Sequence, residues 1–476
     1  MRETIDLQPG AKGRETIIQN FEHPMTHPAR ALIEHYRCPA AFLNIKLQNI
    51  ADSDSGFFRF RANAIYGRSA AGYRSPRVGP ALYDVSQDVR INQPEAYLPF
   101  DPTEIIENFQ FERYCGRESW IRKVAKRAYY QVRPSLPRSI REGIQRFQLR
   151  GWRGLSFPNW PVDVTVEHLC EELLLLSLRA SGADRIPFIW FWPEGCDGSL
   201  MMTHDVEAAV GRDACRELMD INDEYRMRAS FNVVPQGSYS VSESFLAGIR
   251  DRGFEIAIQD FSHDGRLFDE RREFLRRARL INKYANQYGA KGFRSAVLYR
   301  KPEWFDVLNF SYDSSIPNAA HLDPQRGGCC TVMPYFIGNM VELPVTATQD
   351  YTLFHLLSER SIALWKTQIG VILGKNGLIN FIVHPDYVAH EGVKRLYVDL
   401  LIYLRELCAT RKIWQALPSE IDSWWRARSK MQLVRDGDDW RIEGRGSERA
   451  VIAYAKCVDE KLVYELQPLL SRSGMN

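Results

Sequence analysis

Short apolar runs alternate with longer amphipathic stretches from about residue 185 onwards. The apolar runs have the length of buried strands. Six strands are predicted in this way, at 200–206, 229–234, 254–260, 292–299, 340–345 and 378–383. Between most of them, apolar residues recur at the helical period. These stretches predict helices at 214–226, 242–252, 270–288, 353–373 and 393–408. Such alternation indicates an α/β domain, either a parallel barrel or a parallel sheet, over residues 185–425.

Three other regions flank the α/β domain. Residues 1–115 combine short apolar runs with many Gly, Pro, Asn and Tyr residues, which predicts a mixed α+β N-terminal module. Residues 116–184 are predicted to be a basic helical linker. Residues 426–476 follow the α/β domain. They contain short strand-like runs and an Asp-Gly turn, which predict a small β appendage.

The linker is strongly basic between residues 117 and 153. Arg141, Arg146 and Arg150 are spaced so that they could share one face of a helix. A solvated linker explains this pattern. A surface that contacts an anionic glycan carrier or membrane lipid headgroups is the sharper alternative, and the sequence leaves both interpretations open.

Composition narrows the class of protein. A chain of 476 residues is too long for one ordinary domain, and a net charge of +3 gives no argument for nucleic-acid binding. There is no apolar run of about 18 residues that would predict a membrane span. The N-terminus has no secretory signal pattern, and the nine scattered cysteines form no C-x-x-C pair. These features favour a cytoplasmic protein with reduced thiols.

The candidate chemistry lies where predicted strands end. In MMTHDVE (201–207), Asp205 and Glu207 are two residues apart, so both side chains project from the same face of an extended strand. Two neighbouring carboxylates repel each other unless a metal ion, a proton or an arginine is close. The next acidic strand end, EIAIQDFSHDG (255–265), carries Gln259, Asp260 and His263.

A third strand end, LINFIVHPDY (378–387), delivers His384. The carboxyl ends of parallel strands meet at one edge of a sheet or barrel, so the three segments are expected to converge. Carboxylates and imidazoles are the ligands of zinc and related ions. The sequence therefore predicts a metal-dependent active site between residues 200 and 390.

The order of five motifs, THDVE, SHDG, GFRS, SYDSS and VHPD, resembles the polysaccharide deacetylase (NodB-homology) family over residues 185–420. The resemblance implies a distorted (β/α) barrel. It also implies the removal of N- or O-acetyl groups from sugars with one divalent metal ion, commonly zinc.

By this resemblance, Asp205 is the general base and Arg294 in GFRS pairs with it and keeps it ionised. Glu207 and His263 are implied as metal ligands. The general acid that protonates the departing amine is implied to be His384.

Four further residues complete the predicted site. Gln259 stands where the family has its first metal-binding histidine, and a neutral amide is a weaker zinc ligand, so Mn, Co or Ni are alternative ions. Asp260 beside it could replace it, although adjacent strand residues point in opposite directions. Asp313 in SYDSS and His204 in THDVE are predicted to orient the substrate or line the site.

The function predicted from the sequence is that of a metal-dependent carbohydrate deacetylase, which removes an N-acetyl group from an amino sugar of a polysaccharide or glycan precursor. A related enzyme that hydrolyses another non-peptide C–N bond is a second possibility. The third is a carbohydrate-binding protein with an inactive site. Metal content separates the last interpretation from the first two, since an inactive binding protein is expected to hold no ion.

Overall fold

The computed structural model describes residues 27–50, 54–72, 74–116, 140, 143–144, 147 and 149–467. Most of the basic segment, including Arg141 and Arg146, lies outside these residues. None of the helices in the described ranges is long and apolar enough to cross a membrane.

The N-terminal module is mixed α+β, as predicted. Its described residues form two helices and five strands: α1 (Arg30–Tyr36), α2 (Pro102–Gln110), β1 (Ile45–Leu47), β2 (Gly56–Phe60), β3 (Asn63–Gly67), β4 (Arg90–Asn92) and β5 (Glu95–Leu98). β1, β5 and β4 form one sheet, and β2 and β3 form a hairpin. Helix α2 begins where the sequence favours it, because the Asp101 side chain accepts hydrogen bonds from Thr103 N and Glu104 N and proline occupies the first helical position.

A leucine-rich helix, α3 (Thr165–Ser181), lies inside the region predicted to be a linker. Its Leu169, Leu173 and Leu174 are fully buried in the core that α3 shares with the N-terminal module. The helix ends at Gly182, whose φ of 65° is the left-handed conformation that glycine adopts most readily. This part of the region between the module and the α/β domain is therefore a core helix.

The main sheet follows a separate strand, β6 (Arg185–Ile189). It contains nine strands: β7 (Gly198–Val206), β8 (Ala229–Val233), β9 (Glu255–Gln259), β10 (Gly292–Arg294), β11 (Tyr312–Asp313), β12 (Tyr335–Ile337), β13 (Met340–Glu342), β14 (Leu378–Val383) and β15 (Ile413–Gln415). Their order is β12-β13-β11-β10-β9-β8-β7-β14, and β15 also pairs with β7. Every pairing is parallel except that of β12 with β13. The predicted α/β class and distorted barrel are confirmed, as a curled half-barrel.

Helices connect these strands. They are α4 (Ala209–Glu224), α5 (Glu243–Arg250), α6 (Arg271–Tyr288), α7 (Ala363–Leu373), α8 (Pro385–Val388), α9 (Glu391–Thr410) and α10 (Pro418–Lys430). The single helix predicted at 353–373 is instead a π-helical turn, Tyr351–Leu356, followed by α7. The polar run 358–361 separates the two, and Ser358 has a φ of 60°, which no helix accommodates.

The C-terminal strands form two hairpins. β16 (Gln432–Asp436) pairs with β17 (Asp439–Glu443) through the turn at Gly437, which has a φ of 62°. β18 (Ile452–Val458) pairs with β19 (Lys461–Leu466) and also with β6. The last strands thus return to the strand that precedes the half-barrel.

Candidate functional site

The ends of β7, β9 and β14 bring their ionisable side chains together. Ligand atoms of Asp205, Glu207 and His384 all lie within 4.8 Å of one another. Gln259, the last residue of β9, contacts both carboxylates. This convergence follows from the parallel sheet, because the carboxyl ends of neighbouring strands meet at one edge.

Asp205 is buried and surrounded by donors. Its Oδ1 accepts a hydrogen bond of 2.7 Å from Asn232 Nδ2, and its Oδ2 accepts one of 3.1 Å from Gln259 Nε2. Arg294 Nη1 lies 3.7 Å from Asp205 Oδ1. Asn232 was not predicted from the sequence. Asn232 is the β8 residue that pairs with Asp205 in the sheet. This pairing depends on the register between the two strands, which the sequence does not give.

Glu207 lies between two histidines. Its Oε1 is 2.8 Å from His263 Nε2 and 3.4 Å from His384 Nε2. Burial by itself raises the pKa of Glu207, but the charges and hydrogen bonds of His263 and His384 outweigh that effect and hold the pKa well below its usual value. Glu207 therefore remains a carboxylate and links the ends of β7 and β14.

His384 is held by an acidic residue that the sequence did not suggest. Its Nδ1 is 2.6 Å from Asp350 Oδ1, and its backbone N–H donates to Asp350 Oδ2 at 2.7 Å. Burial lowers the pKa of His384, yet Asp350 and Glu207 more than compensate and raise it well above the usual value. The imidazole thus carries a proton, and Asp350 fixes the orientation of its ring.

Gln259 joins the two carboxylates through its amide nitrogen. Nε2 donates to Asp205 Oδ2 and, at 3.2 Å, to Glu207 Oε1. Its Oε1 is buried and has no hydrogen-bond partner among the described residues. An unpaired buried carbonyl oxygen is costly, so this atom is a candidate ligand for a cation or for substrate.

Behind this layer, Arg294 lies near a second pair of buried acids, Asp313 and Glu342. Its Nη2 donates to Ser314 Oγ at 3.0 Å. Burial raises the pKa of Glu342 well above its usual value, and the neighbouring Asp313 raises it further. Burial beside Asp313 therefore favours the protonated form of Glu342. Asp313 also accepts a hydrogen bond from Ser315 Oγ at 2.8 Å, so it supports the floor of the site.

Two predicted site residues make their hydrogen bonds outside the cluster. His204 is on the opposite face of β7, where its ring nitrogens contact Val383 O at 3.2 Å and Asn222 Nδ2 at 2.8 Å. Burial lowers the pKa of His204 to about 3, so it is a neutral core residue in this structure. Asp260 is buried with a φ of 54°, and its Oδ1 accepts a hydrogen bond from the next N–H, that of Phe261.

Several donors in the cluster suit a divalent ion. Glu207 offers a carboxylate, His263 an imidazole and Gln259 an unpaired amide oxygen. Oxygen and nitrogen donors of this kind are compatible with zinc and with harder ions such as manganese. Glu207 also belongs to the group of Asp205, Glu207 and His384, whose ligand atoms lie within 4.8 Å of one another.

Comparison with solved structures found chains of low similarity to this one, polysaccharide deacetylases among them. A candidate polysaccharide deacetylase of Mycobacterium smegmatis is 19% identical at a TM-score of 0.42, with 53% of this chain and 98% of that chain covered. A candidate polysaccharide deacetylase of Pseudomonas aeruginosa PAO1 is 11% identical at a TM-score of 0.39, with coverages of 49% and 93%.

An allantoinase, Puue, is 11% identical at a TM-score of 0.39, with coverages of 49% and 92%. Polysaccharide deacetylases are thus among the solved structures that this chain resembles, as its five motifs predict. No family model and no curated protein matches the sequence.

Proposed function

We propose that this protein is a hydrolase that removes an N-acetyl group from an amino sugar. The observation that carries the proposal is the cluster of Asp205, Glu207 and His384, in which a buried carboxylate and a protonated imidazole face the same small volume. Hydrolysis of an amide needs both partners, because water must lose a proton as it attacks and the departing nitrogen must gain one.

Asp205 is the residue suited to accept the proton from water. Hydrogen bonds from Asn232 and Gln259 fix the carboxylate at 2.7 and 3.1 Å. Arg294 Nη1, 3.7 Å from Asp205 Oδ1, places a positive charge beside this buried side chain. The carboxylate is therefore held ready for proton transfer, which contributes roughly 10²- to 10⁴-fold in rate when a base is well placed.

His384 is the residue suited to protonate the leaving group. Its Nδ1 is occupied by Asp350, so its Nε2 is the nitrogen that faces Glu207 and the cluster. As the C–N bond breaks, the proton on Nε2 passes to the amine nitrogen. The products are acetic acid, which ionises to acetate in solution, and a free amino sugar; Asp205 holds the proton taken from water and His384 is left neutral.

A divalent ion fits the same site. When bound, such an ion supplies Lewis-acid polarisation of the amide carbonyl. Glu207, His263 and the unpaired oxygen of Gln259 are the residues proposed to hold it. Because one donor is a neutral amide, the affinity for zinc is expected to be lower than with a second histidine, and manganese, cobalt or nickel become alternatives.

The test combines metal analysis with acetate release from the tetramer of N-acetylglucosamine. The wild-type protein is expected to bind about one ion per chain and to release acetate. Asp205→Asn is expected to abolish release, and His263→Ala to lower metal content. His390→Ala is the matched control, because His390 is an exposed histidine six residues beyond His384. Absence of acetate release from N-acetylated sugars in the presence of zinc, manganese or cobalt would contradict the proposal.

One observation favours a second candidate function, a carbohydrate-binding protein without catalysis. The Nε2 of Gln259 donates to both Asp205 and Glu207, at 3.1 and 3.2 Å, and so joins the two carboxylates by direct hydrogen bonds. This alternative predicts that the protein binds the tetramer with no metal in the site. It also predicts equal affinities for the wild type and Asp205→Asn.

A further inference from the structure

Three aromatic rings lie side by side next to His384. Tyr351 and Tyr387 are stacked, with their centroids 5.6 Å apart and their planes at 27°. His355 is 4.7 Å from Tyr387, and the Tyr387 ring is 5.2 Å from the His384 ring. All three side chains, here called the Tyr387 patch (Tyr351, His355 and Tyr387), are partly exposed. The patch is thus a surface continuous with the candidate site.

Asp350 and its neighbours fix this patch relative to His384. Asp350 holds the His384 ring and also accepts a hydrogen bond from Tyr351 N, where the π-helical turn begins. Tyr387 belongs to the short helix α8 that starts directly after His384, and its N–H donates to His384 O at 3.1 Å. The rings and the imidazole are therefore positioned by the same few backbone contacts. π-Helical turns of this kind occur frequently at functional sites.

The direction of proton transfer indicates which part of the substrate faces the patch. If His384 protonates the departing nitrogen, as in the proposed function, the surface beside His384 faces the carbon skeleton that carries this nitrogen. For an N-acetylated sugar that skeleton is a pyranose ring. A small linear amide has little there to contact an aromatic surface.

The chemistry of the patch suits a sugar ring. The flat C–H face of a pyranose is apolar and slightly positive, and it complements the negative face of an aromatic ring. The Tyr387 hydroxyl makes no hydrogen bond within the described parts of the chain, although it lies near the charges of Glu207 and Asp386. It can therefore donate to or accept from a sugar hydroxyl.

We propose that the Tyr387 patch is the subsite on which the sugar ring bearing the reacting nitrogen stacks. This inference rests on the proposed function and narrows its substrate class to pyranosides. It predicts that the patch contributes to glycan affinity and not only to packing.

The experiment measures the dissociation constant of the N-acetylglucosamine tetramer by calorimetry in the full-length Asp205→Asn protein, so that turnover plays no part. Tyr351→Ala and Tyr387→Ala are each expected to weaken binding by roughly 3- to 10-fold, the range that an aromatic contact gives. Tyr387→Phe tests the hydroxyl alone and keeps the ring if the alanine variant does not fold. Tyr403→Ala is the control, because Tyr403 is a partly exposed tyrosine on α9 that packs against Lys366.

Weaker binding in the patch variants with unchanged binding in Tyr403→Ala supports the subsite. Equal affinity in Tyr351→Ala, Tyr387→Ala and the parent protein overturns it, as does equal affinity in Tyr351→Ala and the parent if Tyr387→Ala does not fold, or the absence of measurable binding by the parent. Acetate release by the protein with Asp205 intact is measured separately. Release together with equal affinities overturns only the subsite, whereas no release from any N-acetylated sugar overturns the proposed function.

Discussion

Two buried arginines, six residues apart in sequence, have opposite environments. Arg300 donates hydrogen bonds from Nε and Nη2 to the carboxylate of Glu112, with Nε at 2.6 Å. Its Nη1 donates to Leu298 O at 2.8 Å. Arg294 makes one hydrogen bond, to Ser314, and its Nε and Nη1 have no hydrogen-bond partner in the described chain. Its ion pair with Asp205 is long, at 3.7 Å.

The difference separates a structural contact from a functional one. Glu112 belongs to the N-terminal module and also accepts a hydrogen bond from Gly328 N at 2.6 Å. The Arg300–Glu112 pair therefore joins that module to the half-barrel, and the guanidinium nitrogens of Arg300 all donate hydrogen bonds. Arg294 keeps unused donors next to a carboxylate proposed to transfer a proton. A saturated network stabilises the fold, while an unsaturated one leaves donors for the reacting groups.

The largest effect is expected for Arg300→Met. Removing the guanidinium leaves Glu112 buried without a counter-charge, and the free energy of unfolding should fall by about 3–5 kcal/mol. Denaturant unfolding measures this loss. The double variant Glu112→Leu with Arg300→Met is expected to recover most of the stability, because no isolated charge remains. If the double variant is as unstable as the single one, the pair is not the source of the effect.

Arg294→Gln should instead reduce catalysis. The substitution removes the positive charge that faces Asp205, and acetate release is expected to fall by about 10²- to 10³-fold, the usual effect of losing one preorganised charged group. Steady-state kinetics with the tetramer measure the change, and circular dichroism verifies the fold. A variant with wild-type kinetics would show that Arg294, like Arg300, has only a structural role.

Asp350→Asn tests the acid side by its pH dependence. The carboxylates of Asp350 and Glu207 raise the pKa of His384 well above 6.5. The protonated imidazole therefore contributes its full stability to the fold below pH 6.5, and this contribution is lost only as pH rises through the raised pKa. Without the Asp350 charge, the alkaline limb of the rate profile should move to lower pH by roughly one unit or more. An unchanged limb would indicate that a group other than His384 sets it.

The smallest effect is expected for His204→Gln. The pKa of His204 is about 3 in the folded protein against 6.5 when unfolded, so the unfolded chain takes up a proton first as pH falls. Stability is therefore present above pH 6.5 and is lost towards pH 3, at up to about 1.4 kcal/mol per pH unit. The variant should lose less stability between pH 6.5 and 5 than the wild type. The same slope in both proteins would contradict the assignment of His204 as a neutral core residue.

The sequence was informative for the functional residues that lie at the ends of predicted strands. Asp205, Glu207 and Gln259 lie at ends of apolar runs, and the parallel sheet necessarily places such ends at one edge. Asp350 was missed because it lies in a segment that forms no strand and reaches His384 from 34 residues away. Glu342 was missed because the predicted strand ran on to residue 345, whereas the strand ends at Glu342, and because its environment is recognised as unusual only once burial beside Asp313 is known.

The amino-acid sequence by itself determined the α/β class, the strand ends that carry ionisable groups and the order of the five motifs. These are local properties, set by the spacing of apolar and polar residues along one chain segment. Only the tertiary structure decided which donors those groups contact, that His204 faces the core, and that three aromatic rings lie beside His384. Such contacts join residues from separate loops and strands, and their geometry depends on packing that no local pattern specifies.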